Sequence, residues 1–438
     1  MIFSLIIAYV VFKILEVVLP PWNFPRNIPT IPFYVLFLGA ITKKDQIEIY
    51  NQHLKTKLEK YGAVKIYFAS RWNILVSKPE MLIEIFKHEE IYVKSGNHLK
   101  IPGSVLATYT GDNIISSTGQ NWLKYRNVLQ NSIQFPYLDP LDSNTEKYIE
   151  MLPHESLSSV LQKYSLQNIG NCIFGIDFEI SKMHKQINYI KKQIFNPFFM
   201  NFPNIERFIP SRIKAKKEVE NFRNWFGSII KENNQIGAAF KLTQAWSDGV
   251  LTEKQFLDNS IITMVAGHEN PLLLMQSVLY VLAKDPKLQQ KCRDSPIFLD
   301  FVIYETLRMY PPLNQIINRC TSKTTTLQNI KIPKDTYVGY INIATGRDPN
   351  IWVNPDLFLP ERWSKIDYTK AKRDAILPAF HGRKRACLGE KYALTQCKTL
   401  ILAILGKYNF ELKEPVKFTS SGPISPVGMK LNFRKLQE

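Results

Sequence analysis

Cysteine is scarce in this chain. Five are spread over 438 residues, at Cys172, Cys292, Cys320, Cys387 and Cys397. The number is odd and no CxxC pair occurs, which argues against a disulfide framework and against a cysteine-based zinc site. Reduced thiols point to a globular part that faces the cytosol. Blocks of one charge sign are also missing. The formal net charge is +18, yet the basic residues are interleaved with apolar and acidic ones. No zinc-finger spacing, glycine-rich RNA motif or basic arm accompanies that charge, so nucleic acid is not the expected partner. A membrane surface with anionic lipids, or an acidic protein, suits it better. There is no internal repeat, no low-complexity tract, and no flavin- or nicotinamide-binding motif.

What is present is apolar and aromatic: 45% of residues are hydrophobic and 12% aromatic. Such a chain buries a large core, as two or three domains or as one large helical one. Residues 2–12 are apolar apart from Ser4, and residues 14–19 continue the run with Lys13 and Glu16 interrupting. A full membrane span needs roughly 20 predominantly apolar residues. No small-residue cleavage site follows, so residues 1–19 read as a retained N-terminal membrane anchor, with a buried or interfacial helix as the competing reading. The positive charges after it (Arg26, Lys43, Lys44) leave the bulk of the chain in the cytosol. Pro20, Pro21, Pro25, Pro29 and Pro32 make residues 20–35 a stiff hinge. Residues 36–438 remain as the catalytic domain.

Periodicity along that domain is mainly helical with a small β region. Helices are expected over residues 44–61, 79–89, 161–178 and 211–233, and strands over 64–69 and 74–77. Residues 95–113 read as a loop. Residues 187–209 carry Phe195, Phe198, Phe199, Phe202 and Phe208 and read either as a second membrane contact or as a packed corner. The longest helical pattern covers residues 252–283. At its centre stand Ala266, Gly267, His268, Glu269, Asn270 and Pro271. Pro271 has no N–H, so the carbonyl of Gly267 loses its helical partner and the helix kinks. Glu305 and Arg308 are three apart, and Trp122 and Arg126 four apart, so each pair shares a helix face.

Cys387 is the candidate metal ligand. It sits in Phe380-His381-Gly382-Arg383-Lys384-Arg385-Ala386-Cys387-Leu388-Gly389, just before a helix over residues 392–405. The positive end of that helix and Arg385 favour a thiolate. Gly389 leaves room for a flat cofactor, Phe380 offers a ring beside the sulfur, and Arg385 suits a cofactor carboxylate. The competing reading is a buried structural thiol.

This segment resembles the haem-ligand loop of cytochrome P450 enzymes: Phe, two residues, Gly, any, Arg, any, Cys, any, Gly. Phe380, Arg385, Cys387 and Gly389 match. Arg383 stands where the pattern has its first glycine, with Gly382 one place earlier. Residues 266–271 are similar to the family's oxygen-binding helix segment, with Asn270 where Thr is usual. Glu305 and Arg308 match its Glu-x-x-Arg element, and Arg362, within Pro-Glu-Arg-Trp, matches the third member of a buried ion network. The resemblance implies a P450 fold and haem b held non-covalently, with Cys387 as axial thiolate. It implies that Trp122, Arg126, Arg319 and Arg385 bind haem propionates. Ala266, Gly267, Glu269 and Asn270 would line the distal side, Glu269 supplying protons. It also implies electrons from NADPH through NADPH–cytochrome P450 reductase, docked in part on Arg383, Lys384, Arg385 and Lys391, and a location on the endoplasmic reticulum membrane.

Within the family, the motifs around Asn270 and Cys387 look most like fungal spore-wall members that couple N-formyltyrosine into dityrosine. Phenol coupling removes hydrogen from two phenols and inserts no oxygen, which suits the missing Thr. Lys94 and Lys100 then become candidates for the substrate carboxylate. The alternative enzyme is a hydroxylase of a fatty acid, sterol or xenobiotic. The alternative of another class is a haem- or lipid-binding protein without turnover.

Overall fold

The chain begins with α1 (Ile2–Val18), whose apolar side chains are exposed, among them Phe3, Leu5, Tyr9 and Phe12. Its 17 residues span about 25 Å, short of a hydrocarbon core of about 30 Å. Among the described residues no helix is long and apolar enough to cross a membrane. The computed structural model describes residues 2–436 apart from Lys43, Phe195 and Asn234. The sequence expectations that touched Lys43 and Phe195 therefore lie outside it.

The proline-rich stretch docks onto the body. Ile28 and Ile31 are buried, Thr30 bridges Lys65, and the Lys65 ammonium donates to the Pro25 carbonyl at 2.8 Å. The strand it meets, β1 (Ala63–Phe68), pairs antiparallel with β2 (Arg71–Val76) across a tight turn. Ala69 and Ser70 both take positive φ there, 52° and 63°. Side chains in that region cost about 1–2 kcal/mol each, and the hairpin's twist requires it. β3 (Tyr92–Lys94) is the far edge of the same sheet.

The expected loop over residues 95–113 instead contains two short helices, Asn97–Lys100 and Val105–Thr110, the second capped by the Ser104 hydroxyl. Five long helices follow: α2 (Gly119–Gln134), α3 (Leu157–Asn168), α4 (Ile180–Ile194), α5 (Pro210–Glu232) and α6 (Glu253–Ala283). A π-helical turn, Ile169–Phe174, extends α3 and stops at Gly175, left-handed with φ 75°.

α6 is 31 residues and about 46 Å long. It starts where local chemistry dictates, with Thr252 and Gln255 forming a reciprocal capping box. Pro271 lies inside it without ending it, because packing against α3, α5 and later helices outweighs one lost hydrogen bond. α7 (Pro296–Met309) carries Glu305 and Arg308. β4 (Gln315–Thr321) and β5 (Tyr337–Ile341) complete a five-stranded sheet of order β1-β2-β5-β4-β3. Lys94 lies opposite Arg319 in the β3–β4 ladder, and β4 is irregular between Ile317 and Arg319. The last helix, α8 (Glu390–Lys407), is capped by Gly389 and packs on α6.

Candidate active site around Cys387

Cys387 lies two residues ahead of the cap of α8. Its amide donates to the Phe380 carbonyl at 2.9 Å, and the Ala386 amide donates to the Arg383 carbonyl at 2.7 Å, so the loop folds back on itself. Arg383 in the glycine position is absorbed by its neighbours. The left-handed conformation falls on His381, with φ 58°. The close approach falls on Gly382, where a Cβ would come within 2.2 Å of the Lys372 carbonyl oxygen. Gly389 is not crowded, since a Cβ there would meet only Ile133, at 3.7 Å.

The Cys387 side chain is exposed although it lies deep in the molecule, so it borders internal space. Burial pushes its thiol up to about 11, while the Gly389 amide at the head of α8 pulls it back down. The helix terminus thus acts in the expected sense. Arg385 does not: its guanidinium is directed away, to the carbonyls of Ser117 at 2.8 Å and Ile115 at 3.3 Å.

Beside this loop the structure gathers cations. Arg385 is 4.4 Å from the centre of the Trp122 ring, Lys384 5.1 Å and Arg126 5.3 Å. Arg126 also donates to the Lys384 carbonyl at 3.1 Å. Arg319 is buried and donates to the Tyr92 carbonyl at 3.0 Å. Burial, followed by Arg319 and Arg385, lowers the Lys94 ammonium well below its usual range. Burial lowers Arg385 to about 10. Among the described residues one carboxylate faces them, Glu89, 3.6 Å from Arg319. The Arg319 Nη2 and the His381 Nε2 are buried without hydrogen-bond partners. The His381 ring lies on Phe86 with centroids 3.7 Å apart, and burial and then the cations push it down to about 2, so it is neutral. The inner cations of this cluster, Lys94, Arg319 and Arg385, with one acid beside them, make a receptor for anions.

At the centre of α6 the partly exposed residues Ile262, Val265, Ala266, Glu269 and Asn270 recur at helical spacing, so one stripe of this part of the helix faces open space. The Asn270 amide donates to the Ala266 carbonyl at 3.4 Å. Gly267, partly exposed beside Ala266, has a second role. A Cβ there would come within 2.2 Å of Ile169 Cδ1, so this glycine lets the turn after α3 close on α6. Glu269 forms an ion pair with Lys191 of α4 and lies 3.4 Å from the His268 ring. His268 is buried, donates from Nδ1 to the Met264 carbonyl at 2.9 Å, and is lowered by burial to about 4.

The sequence profile of the cytochrome P450 family matches residues 25–295 and 297–430. The chain belongs to the cytochrome P450 family. Cytochrome P450-DIT2 of Saccharomyces cerevisiae is 41% identical, over 99% of this chain and 98% of that protein. Cytochrome P450 monooxygenase xanG of Aspergillus fumigatus is 32% identical, over 88% and 82%. Cytochrome P450 3A9 of Rattus norvegicus is 24% identical, over 84% of both chains.

The residues of this P450 fit the haem that the family carries. The thiol that borders internal space, the unmatched cations beside it and the partly exposed stripe of α6 are what a buried dicarboxylate macrocycle would fill. Cys387 would hold the iron, and Trp122, Arg126, Arg319 and Arg385 the carboxylate side. Lys94, which sequence reasoning put with the substrate, lies in this cradle opposite Arg319. Glu89 and His381 were not foreseen either. Their neighbours belong to strands and loops far away in sequence, and no local pattern marks them.

The ion network behind the loop forms as the resemblance implied. Glu305 accepts from Arg308 Nε and Nη2 at 2.9 and 2.7 Å and from Arg362 Nε at 3.1 Å. It also accepts from the Trp363 indole at 3.0 Å and the Leu359 amide at 2.8 Å. Trp363 continues to Tyr304, which stacks on Tyr368 at 4.0 Å, and the Tyr368 hydroxyl donates to Glu390 at 2.7 Å. Glu390 opens α8, so the network braces the helix behind Cys387.

Proposed function

We propose that this P450 couples two molecules of N-formyltyrosine through their phenol rings, giving a dityrosine for a fungal spore wall. The observation that carries the reading is Asn270. Its amide is engaged with the Ala266 carbonyl, at the place where the family's oxygen-inserting members usually carry a hydroxyl. An amide orients water but passes a proton poorly. Each turnover removes one hydrogen from each of two phenols and forms one carbon–carbon bond. Dioxygen takes those two hydrogens, two electrons and two protons, and leaves as two waters.

Haem, which Cys387 would hold through its sulfur, would supply dioxygen activation. The chain's own residues do the rest. Ala266 presents only a methyl group on the partly exposed stripe of α6. Glu269, paired with Lys191, links that side to a partly exposed cation and holds a proton-accepting carboxylate near it. His268 stays neutral and fixes the turn through Met264. Electrons come from NADPH through a separate reductase. Lys384 and Lys391 are exposed and suit an acidic docking face, whereas Arg385 is bound inward and takes no part.

The enzyme resides on the endoplasmic reticulum membrane with residues 36–438 in the cytosol. Exposed α1 and exposed Phe198, Ile205 and Phe208 supply the apolar contact. The test is mass spectrometry of products from purified protein, reductase, NADPH and N-formyltyrosine. A covalent dimer lacking two hydrogens is expected. A monomer that gains one oxygen, or no product while lipids are oxidised, overturns the reading.

A further inference from the structure

A second group of cations meets β4 at Ile317, two residues before Arg319. Lys100 is only 2% exposed, and its ammonium donates to the Ile317 carbonyl at 3.2 Å, the one hydrogen bond it makes among the described residues. An ammonium has three donors. Arg71, at the start of β2, lies against it: Nη2 donates to the Lys100 carbonyl at 2.5 Å, and Nε is buried without a partner. Both cations face the Tyr337 ring, Arg71 at 4.7 Å and Lys100 at 5.0 Å, and Lys100 lies 5.0 Å from the Phe68 ring. The Tyr337 hydroxyl is already engaged with Ser95 at 2.7 Å. Among the described residues, the charged and titratable groups acting on Lys100 are Arg71 and the Cys320 thiol, with no carboxylate.

A buried ammonium beside a half-buried guanidinium, with no acid between them among the described residues, is costly, and cores usually avoid such a pair. A lysine kept only to fill this space would be replaced by methionine without penalty. The donors left over, the fork of Arg71 and the aromatic walls match a carboxylate attached to an aromatic body.

We propose that Arg71 and Lys100 form a subsite for the α-carboxylate of an N-acyl aromatic amino acid substrate. This rests on the phenol-coupling reading and names what holds the end of the substrate away from the phenol. A haem propionate is the other carboxylate that shares this chemistry, and the experiment separates the two.

The measurement is calorimetric titration of the full-length holoprotein with N-formyltyrosine and with its neutral amide, with haem content recorded for each variant. The wild type is expected to prefer the acid. Lys100→Met and Arg71→Gln are each expected to weaken the acid by about ten- to a hundredfold, the loss of one charge-assisted hydrogen bond. The amide is expected to shift by less than about threefold, with haem content unchanged. Equal weakening of acid and amide, or of neither, overturns the subsite. Loss of haem with an unchanged acid-to-amide ratio assigns the cations to the propionates and overturns it too. A wild type that binds and couples neither compound refutes the phenol-coupling reading itself, and the subsite falls with it. Should Lys100→Met fail to fold, half-buried Arg71 carries the same comparison.

Discussion

Glu305→Gln tests the network that braces the Cys387 loop. The carboxylate is fully buried and accepts five hydrogen bonds, two of them a bidentate pair from Arg308, which is itself 1% exposed. The amide keeps the shape but removes the charge, and it turns one accepting oxygen into a donor facing donors. Breaking a buried pair by removing one partner costs about 3–5 kcal/mol. Arg308 retains bonds to the carbonyls of Gly346, Pro355 and Leu357, so the lower end of that range is expected. A loss near 3 kcal/mol is a large part of a total stability of about 5–15 kcal/mol. Urea unfolding followed by tryptophan fluorescence reads it directly, because Trp352 and Trp363 are buried in or beside the network. The midpoint should fall with little change in slope. Because Glu305 leads through Trp363, Tyr304 and Tyr368 to Glu390 at the head of α8, haem retention should fall too. A loss below about 1 kcal/mol with full haem retention would refute the reasoning, since the pair would then cost no more to break than a surface one.

Gly267→Ala should lower the melting temperature by the equivalent of about 1–3 kcal/mol, because the new methyl meets Ile169 Cδ1. Adding Ile169→Val should restore most of it, and an absence of rescue would disprove that contact. His268 has a folded value of about 4 against an ordinary 6.5. The unfolded chain therefore binds its proton first as pH falls, and stability is lost between about pH 6.5 and 4, by about 3 kcal/mol. Urea midpoints across that window should fall less steeply in His268→Gln, and parallel curves would contradict the assignment. Asn270→Thr should shift the product mixture from the coupled dimer toward a one-oxygen product, read by mass spectrometry. An unchanged ratio would remove Asn270 from the control of outcome.

Features that depend on a few neighbouring residues were legible in the sequence. The start of α6 follows from Thr252 and Gln255, the shared face of Glu305 and Arg308 from one helical turn, and the position of Cys387 before a helix from the pattern of residues 392–405. Hydrogen bonds within a turn are set by the residues that make it, so they survive whatever the rest of the chain does. The family motifs added Arg362 to Glu305 across more than fifty intervening residues, a pairing that spacing alone does not reveal.

Tertiary structure decided the remainder. Gly267 reads only as clearance over a cofactor until Ile169 is seen against it as well. Arg385 reads as support for the thiolate until its guanidinium is found on the Ser117 carbonyl. Lys94 and Lys100 are six residues apart and alike in sequence, yet one joins the cradle with Arg319 and the other the group with Arg71. That separation is set by strand register and by which distant segments close over each ammonium. The energy of a buried charge depends on neighbours brought from elsewhere in the chain, which is why composition and periodicity name the residues and only the packed fold assigns their work.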